Sequence, residues 1–259
     1  MSAPLPILFI GHGSPLQAIE PSRYSAVWEH LGRTLPQPRA ILVVSAHWYM
    51  RGSAVTAQPT PKTIHDFYGF PPALHAVQYP ARGDPALAGR VAQLLQPTGV
   101  DLDHSRGLDH GAWSVLRYMY PAADVPVVQL SINSALTAPA HYALAQRLGA
   151  LRDEGVLVLG SGNVVHNLTA LQRNPTATAA ALATEFNNLV RDRVLTNEHR
   201  DLLHYETFGA AAAFSVPTPE HYLPLLYVLA LKRVGESVTI PVDGIDLGAI
   251  SMLSVLIAA

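Results

Sequence analysis

Apolar residues along this chain fall into two alternating arrangements. Short unbroken runs, Leu5–Ile10, Ala40–Ser45, Val125–Leu130 and Val156–Leu159, have no polar face and read as strands buried on both sides. Between them lie stretches of helical period: Ser22–Leu35, Pro85–Leu95, Ala112–Met119, Pro139–Leu151, Ala177–Val194 and His221–Lys232. A further strand pair is expected near Ser237–Pro241 and Ile250–Leu256. Pro85 and Pro139 suit the first turn of a helix, where a missing N–H costs nothing. The alternation predicts an α/β protein. With no linker and no internal repeat, residues 1–259 read as one domain.

The ends of the strands carry the chemistry. Leu5–Ile10 leads into Gly11-His12-Gly13-Ser14-Pro15, Ala40–Ser45 into Ala46-His47-Trp48, and Val156–Leu159 into Gly160-Ser161-Gly162-Asn163-Val164-Val165-His166. If these strands are parallel, their histidines gather along one sheet edge, where open α/β folds place their sites. One such histidine would mean little, but three are hard to explain by core packing.

Composition narrows the reading. A net charge of −2 without any Lys/Arg cluster argues against a nucleic-acid or anionic-membrane surface, so small-molecule partners are expected. No secretory signal is evident, and the apolar stretches near Leu223–Leu231 and at the C-terminal end are too short to cross a bilayer, which predicts a cytoplasmic protein. Zero cysteines exclude disulfides, thiolate metal sites and a Cys nucleophile, so a transition metal must be held by His, Asp or Glu. Twelve histidines in a chain with 14% charged residues stand out against that background.

His12, His47, His166 and His221 are the candidates for a mononuclear site, which needs three or four ligands from distant parts of a chain. His221 has the weakest pattern, because it opens an apolar helix after Pro219-Glu220 and could serve as a cap. Two histidines with Glu220 would suggest Fe(II), whereas an all-histidine set suits zinc equally. Leu108-Asp109-His110-Gly111-Ala112-Trp113 places a histidine in a turn before a helix, with Asp109 as its possible cap. Ile64–Pro72 is an aromatic loop, and His65, Phe67, Tyr68 and Trp48 are the expected substrate-pocket residues. Lys62, Arg51 and Arg117 are cations that could meet a substrate carboxylate, with nothing to choose among them. The glycine-rich segments lack the third glycine of a dinucleotide loop, the flanking glycines of a nucleophile elbow and the Lys of a P-loop. His30, His75, His104, His141, His199 and His204 lack comparable context and are expected at the surface or half-buried.

Taken together, Gly11–Pro15, Ser45–Trp48, Asp66–Pro71, Gly107–Gly111, Gly162–Leu168 and Pro219–Leu225 resemble the motifs of the 4,5-DOPA extradiol dioxygenase group. That group belongs to the class III family typified by the LigB subunit of protocatechuate 4,5-dioxygenase. The resemblance implies a single α/β catalytic domain with a central, mostly parallel sheet flanked by helices on both faces. It implies one divalent metal on His12, His47 and His221, with Fe(II) for activity and Zn(II) as an alternative occupant. His166 matches a family position described either as a fourth ligand or as an acid/base residue, and His110 matches a pocket histidine beside the ligands and is expected as a second catalytic residue. The classical members complete the ligand set with a glutamate where this chain has His221. The implied reaction inserts O2 into a catechol-type ring to give a muconic semialdehyde, in a monomer or small homo-oligomer. A zinc-dependent hydrolase built on the same histidines, and a non-catalytic relative, are the competing readings.

Overall fold

The computed structural model describes residues 3–172 and 175–259. Ten strands occur among them: β1 (Ile7–Gly11), β2 (Ala40–Met50), β3 (Ala54–Thr56), β4 (Asp101–Asp103), β5 (Val127–Asn133), β6 (Val156–Gly162), β7 (Ser237–Val242), β8 (Ile245–Asp246), β9 (Ile250–Ser251) and β10 (Ser254–Ala258). Eight of them form one sheet in the order β4-β3-β5-β2-β6-β1-β10-β7, and β8 pairs with β9 apart from it. Strands β5, β2, β6 and β1 are parallel neighbours, whereas β10 and β7 add an antiparallel edge. The result is the expected α/β domain with a mostly parallel sheet. The short β3 and β4 were not expected, because three residues are too few to show a periodicity.

The central strands are apolar throughout because helices cover both faces. Ile7, Phe9, Leu42 and Val44 point to one side, against the helices Pro85–Leu94, Ala138–Gln146, Ala177–Leu195 and Leu223–Ala230. Leu8, Ile10, Ile41 and Val43 point to the other, against Trp28 of the helix Arg23–Thr34 and Trp113 of the helix His110–Met119. This alternation follows from the two-residue repeat of a strand. Ser22, Asp84, Asp109 and Thr176 cap their helices through side-chain oxygens.

Three expectations are corrected. The helix Pro139–Leu151 is interrupted by a 3-10 turn over Arg147–Gly149. The last helix starts at Leu223, not His221, with Pro224 in its first turn, so His221 belongs to the preceding turn. Strand β2 runs on to Met50, and its pairing with β5 is irregular between Val44 and Tyr49. His47 therefore lies inside a strand irregularity, where an unpaired residue can be re-aimed, and not beyond the strand.

His141 and His199 are also buried, not half-exposed. His141 lies under the helix layer with Nδ1 2.9 Å from the Tyr227 hydroxyl, and burial pushes its pKa down to about 4. Between pH 6.5 and 4 the unfolded chain takes up a proton here that the folded chain refuses, so acidification removes stability across that window. His141→Gln should make the loss of unfolding free energy between pH 6.5 and 4.5 smaller by about 2 kcal/mol than in the parent protein. Urea titrations at the two pH values measure this difference.

Candidate metal centre

The parallel register brings the strand ends level. Gly11 of β1 stands opposite Gly162 of β6, and Ser45 of β2 opposite Ser161 of β6. His12, just after β1, and His47, within β2, consequently stand at the same height on the two strands that flank β6, while His166 follows β6 through a short turn. His221 arrives from the other side of the chain and is seated directly on β6. Its carbonyl accepts from the Asn163 amide at 2.9 Å, and a Cβ on Gly162 would come within 2.2 Å of that carbonyl oxygen. Only glycine at 162 leaves room for the His221 turn.

One nitrogen from each of His12, His47 and His221 lies within 4.8 Å of the others. The Nε2 atoms of His12 and His47 are 3.1 Å apart. The other ring nitrogens have oxygen partners. Ser161 donates its only hydroxyl proton to the Gly111 carbonyl, so its oxygen must accept from His12 Nδ1 at 3.0 Å. His47 Nδ1 faces Asp66 Oδ2 at 3.5 Å, and His221 Nδ1 faces Glu220 Oε1 at 3.3 Å. These partners place the protons on Nδ1 and turn three Nε2 lone pairs inward, the arrangement that oxygen acceptors impose on metal-binding imidazoles. His221 Nε2 is buried with no hydrogen-bond partner. Burial first, and then mutual repulsion among the histidines, holds the pKa values of all three well below the ordinary imidazole range, which keeps them neutral. An orphaned buried nitrogen and two acceptors facing each other at 3.1 Å fit a borderline divalent cation.

Two more histidines stand beside this group. His110 Nδ1 lies 3.0 Å from Asp66 Oδ1, which also accepts from the His110 backbone amide at 3.0 Å. Burial raises the Asp66 pKa, but the hydrogen bond with His110 and the nearby imidazoles of His110 and His47 bring it down to about 2. His166 stacks flat on His221, with ring centroids 3.4 Å apart and planes 6° from parallel, and burial lowers its pKa to about 4. It groups with Glu220 and His221, not with His12 and His47.

These residues form the floor of a cavity of about 590 Å³ whose walls include Leu16, Phe67, Phe70, Leu171 and Ile250. Of the expected pocket residues, Phe67 lines the wall and Tyr68 stands at the mouth, 92% exposed. His65 and Trp48 do not line it. His65 Nε2 is tied to the Val77 carbonyl at 2.9 Å, and Trp48 is buried beneath Arg106, whose guanidinium carbon lies 4.7 Å from the ring centroid. Lys62, Arg51 and Arg117 are likewise absent from the described lining, whose acidic members are Asp66 and Glu220. Sequence reasoning missed Asp66 and Ser161 as orienting groups, since no local pattern announces a carboxylate or hydroxyl that serves a distant imidazole.

A family model described as the catalytic LigB subunit of aromatic ring-opening dioxygenase matches residues 8–239. Proteins named 4,5-DOPA dioxygenase extradiol are similar across most of this chain. The one from Escherichia coli K12 is 50% identical, covering 99% of this chain and 96% of its own length, and the one from Beta vulgaris is 40% identical, covering 88% and 87%. A crystal structure of an uncharacterized protein from Escherichia coli K12 superposes with a TM-score of 0.85 at 46% identity, covering 98% of this chain and 100% of that one. The chain belongs to the LigB family, and with that membership it is a metal-dependent extradiol ring-cleaving dioxygenase. Membership decides against the hydrolase and non-catalytic readings.

Gly162→Ala tests the seat of His221. The new Cβ meets backbone, which cannot give way as a flexible side chain would. The variant should lose about 1–3 kcal/mol of stability and bind Zn(II) more weakly, as read by urea unfolding and by competition with a chelating dye.

Proposed function

We propose that the chain opens catechol-type rings, DOPA-like or related aromatic diols, next to the diol with O2, giving a muconic semialdehyde. The observation that supports this most strongly is the convergence of one nitrogen each from His12, His47 and His221 on the floor of an apolar cavity, with His110 and His166 beside them. In this reading His12, His47 and His221 hold the metal, and His166 acts as acid/base. A divalent ion bound there supplies Lewis acidity and, as Fe(II), the one-electron chemistry that O2 requires.

The protein's own contribution is placement and proton traffic. Phe67, Phe70 and Ile250 offer apolar surface against a planar ring, so its two hydroxyls are directed to the floor. His110, with Nδ1 held by Asp66, presents Nε2 as the base that takes a hydroxyl proton. His166, neutral and flat against His221, stands ready to take the second hydroxyl proton and to return it to oxygen as the ring opens. Residues 1–259 act as one catalytic domain on a small aromatic diol and O2, in the cytoplasm, as a monomer or small homo-oligomer. Among the described residues no helix is long and apolar enough to cross a membrane.

Anaerobic loading with Fe(II), followed by oxygen uptake and a yellow product across a catechol panel, tests the reaction. No uptake with any catechol overturns it. His47→Ala should abolish both metal retention and turnover, and a fully active variant removes His47 from the ligand set. His166→Gln and His110→Gln should retain one metal per chain while kcat falls about 10²–10⁴-fold. Loss of the metal from His166→Gln would make His166 a fourth ligand.

A further inference from the structure

His47 lies in the irregular stretch of β2, where the regular ladder does not hold the backbone. Other groups hold it instead. Its amide donates to Ser45 Oγ at 3.3 Å, and its carbonyl accepts from Arg106 Nη2 at 3.0 Å. The same Nη2 is 3.5 Å from Asp109 Oδ2, and the guanidinium lies over the Trp48 indole with its carbon 4.7 Å from the ring centroid. Arg106 Nε is buried without a hydrogen-bond partner, so the aromatic face takes the place of a further acceptor.

Asp109 anchors this arrangement. It is fully buried and accepts from Ser45 Oγ at 2.7 Å, from the Ala112 amide at 3.2 Å and from Gln129 Nε2. One carboxylate therefore joins Ser45, Arg106 and the first turn of the helix His110–Met119. Through Ser45 and Arg106 it reaches both polar backbone groups of His47. The helix also touches the ring itself: a Cβ on Gly111 would lie 2.5 Å from Ser45 Oγ and 2.9 Å from His47 Cδ2.

We propose that Arg106 is a positioning residue that locks the His47 segment, with Asp109 as its anchor and Trp48 as its platform, and so sets the affinity and geometry of the metal site. The inference rests on the reading of His12, His47 and His221 as that site. Arg106 suits the task because a planar guanidinium can stack on the indole while donating in its plane, which a lysine ammonium cannot do.

The test uses metal-free protein titrated with Zn(II) against a chelating dye, together with the visible absorption of the Co(II) form. Arg106→Met should weaken Zn(II) binding about 10-fold or more and shift the Co(II) bands, with little change in the melting temperature of the metal-free protein. Arg106→Lys should recover only part of the affinity. Should Arg106→Met fail to fold, Arg106→Lys decides alone, with an expected several-fold loss. Parental affinity and an unchanged Co(II) spectrum in a folded Arg106 variant overturn the inference. If the parent protein and His47→Ala bind Zn(II) alike, the reading of the site itself fails.

Discussion

The rest of the site depends on one arrangement that is unfavourable by itself: three uncharged imidazoles, two of them buried and His47 partly so, with their lone pairs turned towards a common point. Two acceptors 3.1 Å apart, His12 Nε2 and His47 Nε2, repel each other unless a cation stands between them. Such a cluster exists only if the surrounding fold over-determines it. Each ring is fixed at two places, by its backbone and by an oxygen on its outer nitrogen: Ser161 for His12, Asp66 for His47 and Glu220 for His221.

The parallel sheet provides most of that determination. Strands in register deliver Gly11, Ser45 and Ser161 at one height, so the side chains that follow them need little further adjustment. A core closed on both faces makes those strand ends stiff, and sites carried on rigid elements hold their geometry better than sites on loops. Where the sheet departs from regularity, at His47, polar side chains replace the missing ladder bonds. Asp109 is the common partner of those replacements and also caps the helix that carries His110. Ligand placement and base placement are thus mechanically linked through one buried carboxylate.

Charge is distributed with the same economy. Asp66 and Glu220 line the cavity, yet both face imidazole nitrogens, Asp66 serving His47 and His110 together. Their two carboxylates balance a divalent ion held beside them, so a diol that binds as an anion must leave its protons on neighbouring side chains. His110 and His166 are the groups in position for that. The apolar walls leave the orientation of the substrate to its ring and hydroxyls.

Much of this was legible in the chain itself. Unbroken apolar runs such as Leu5–Ile10 and Val156–Leu159 identified buried strands, because only strands covered on both faces lack a polar side. The histidines following them marked the functional edge, and the six motifs identified the family. The sequence did not show that β2 continues past His47, because a strand irregularity is decided by the pairing of neighbours and not by local preference. Nor could it distinguish Phe67, on the cavity wall, from His65 and Trp48, which face a carbonyl and a guanidinium elsewhere. The local pattern by itself determined which segments form buried strands and which residues can donate to a metal, since these are properties of short segments. Which nitrogen of each histidine faces inward, how His166 stacks on His221, and which carboxylate serves which ring were decided only by tertiary structure. Those choices depend on atoms up to 149 positions apart in the chain, as between His12 and Ser161, brought to 3.0 Å by the register of the sheet.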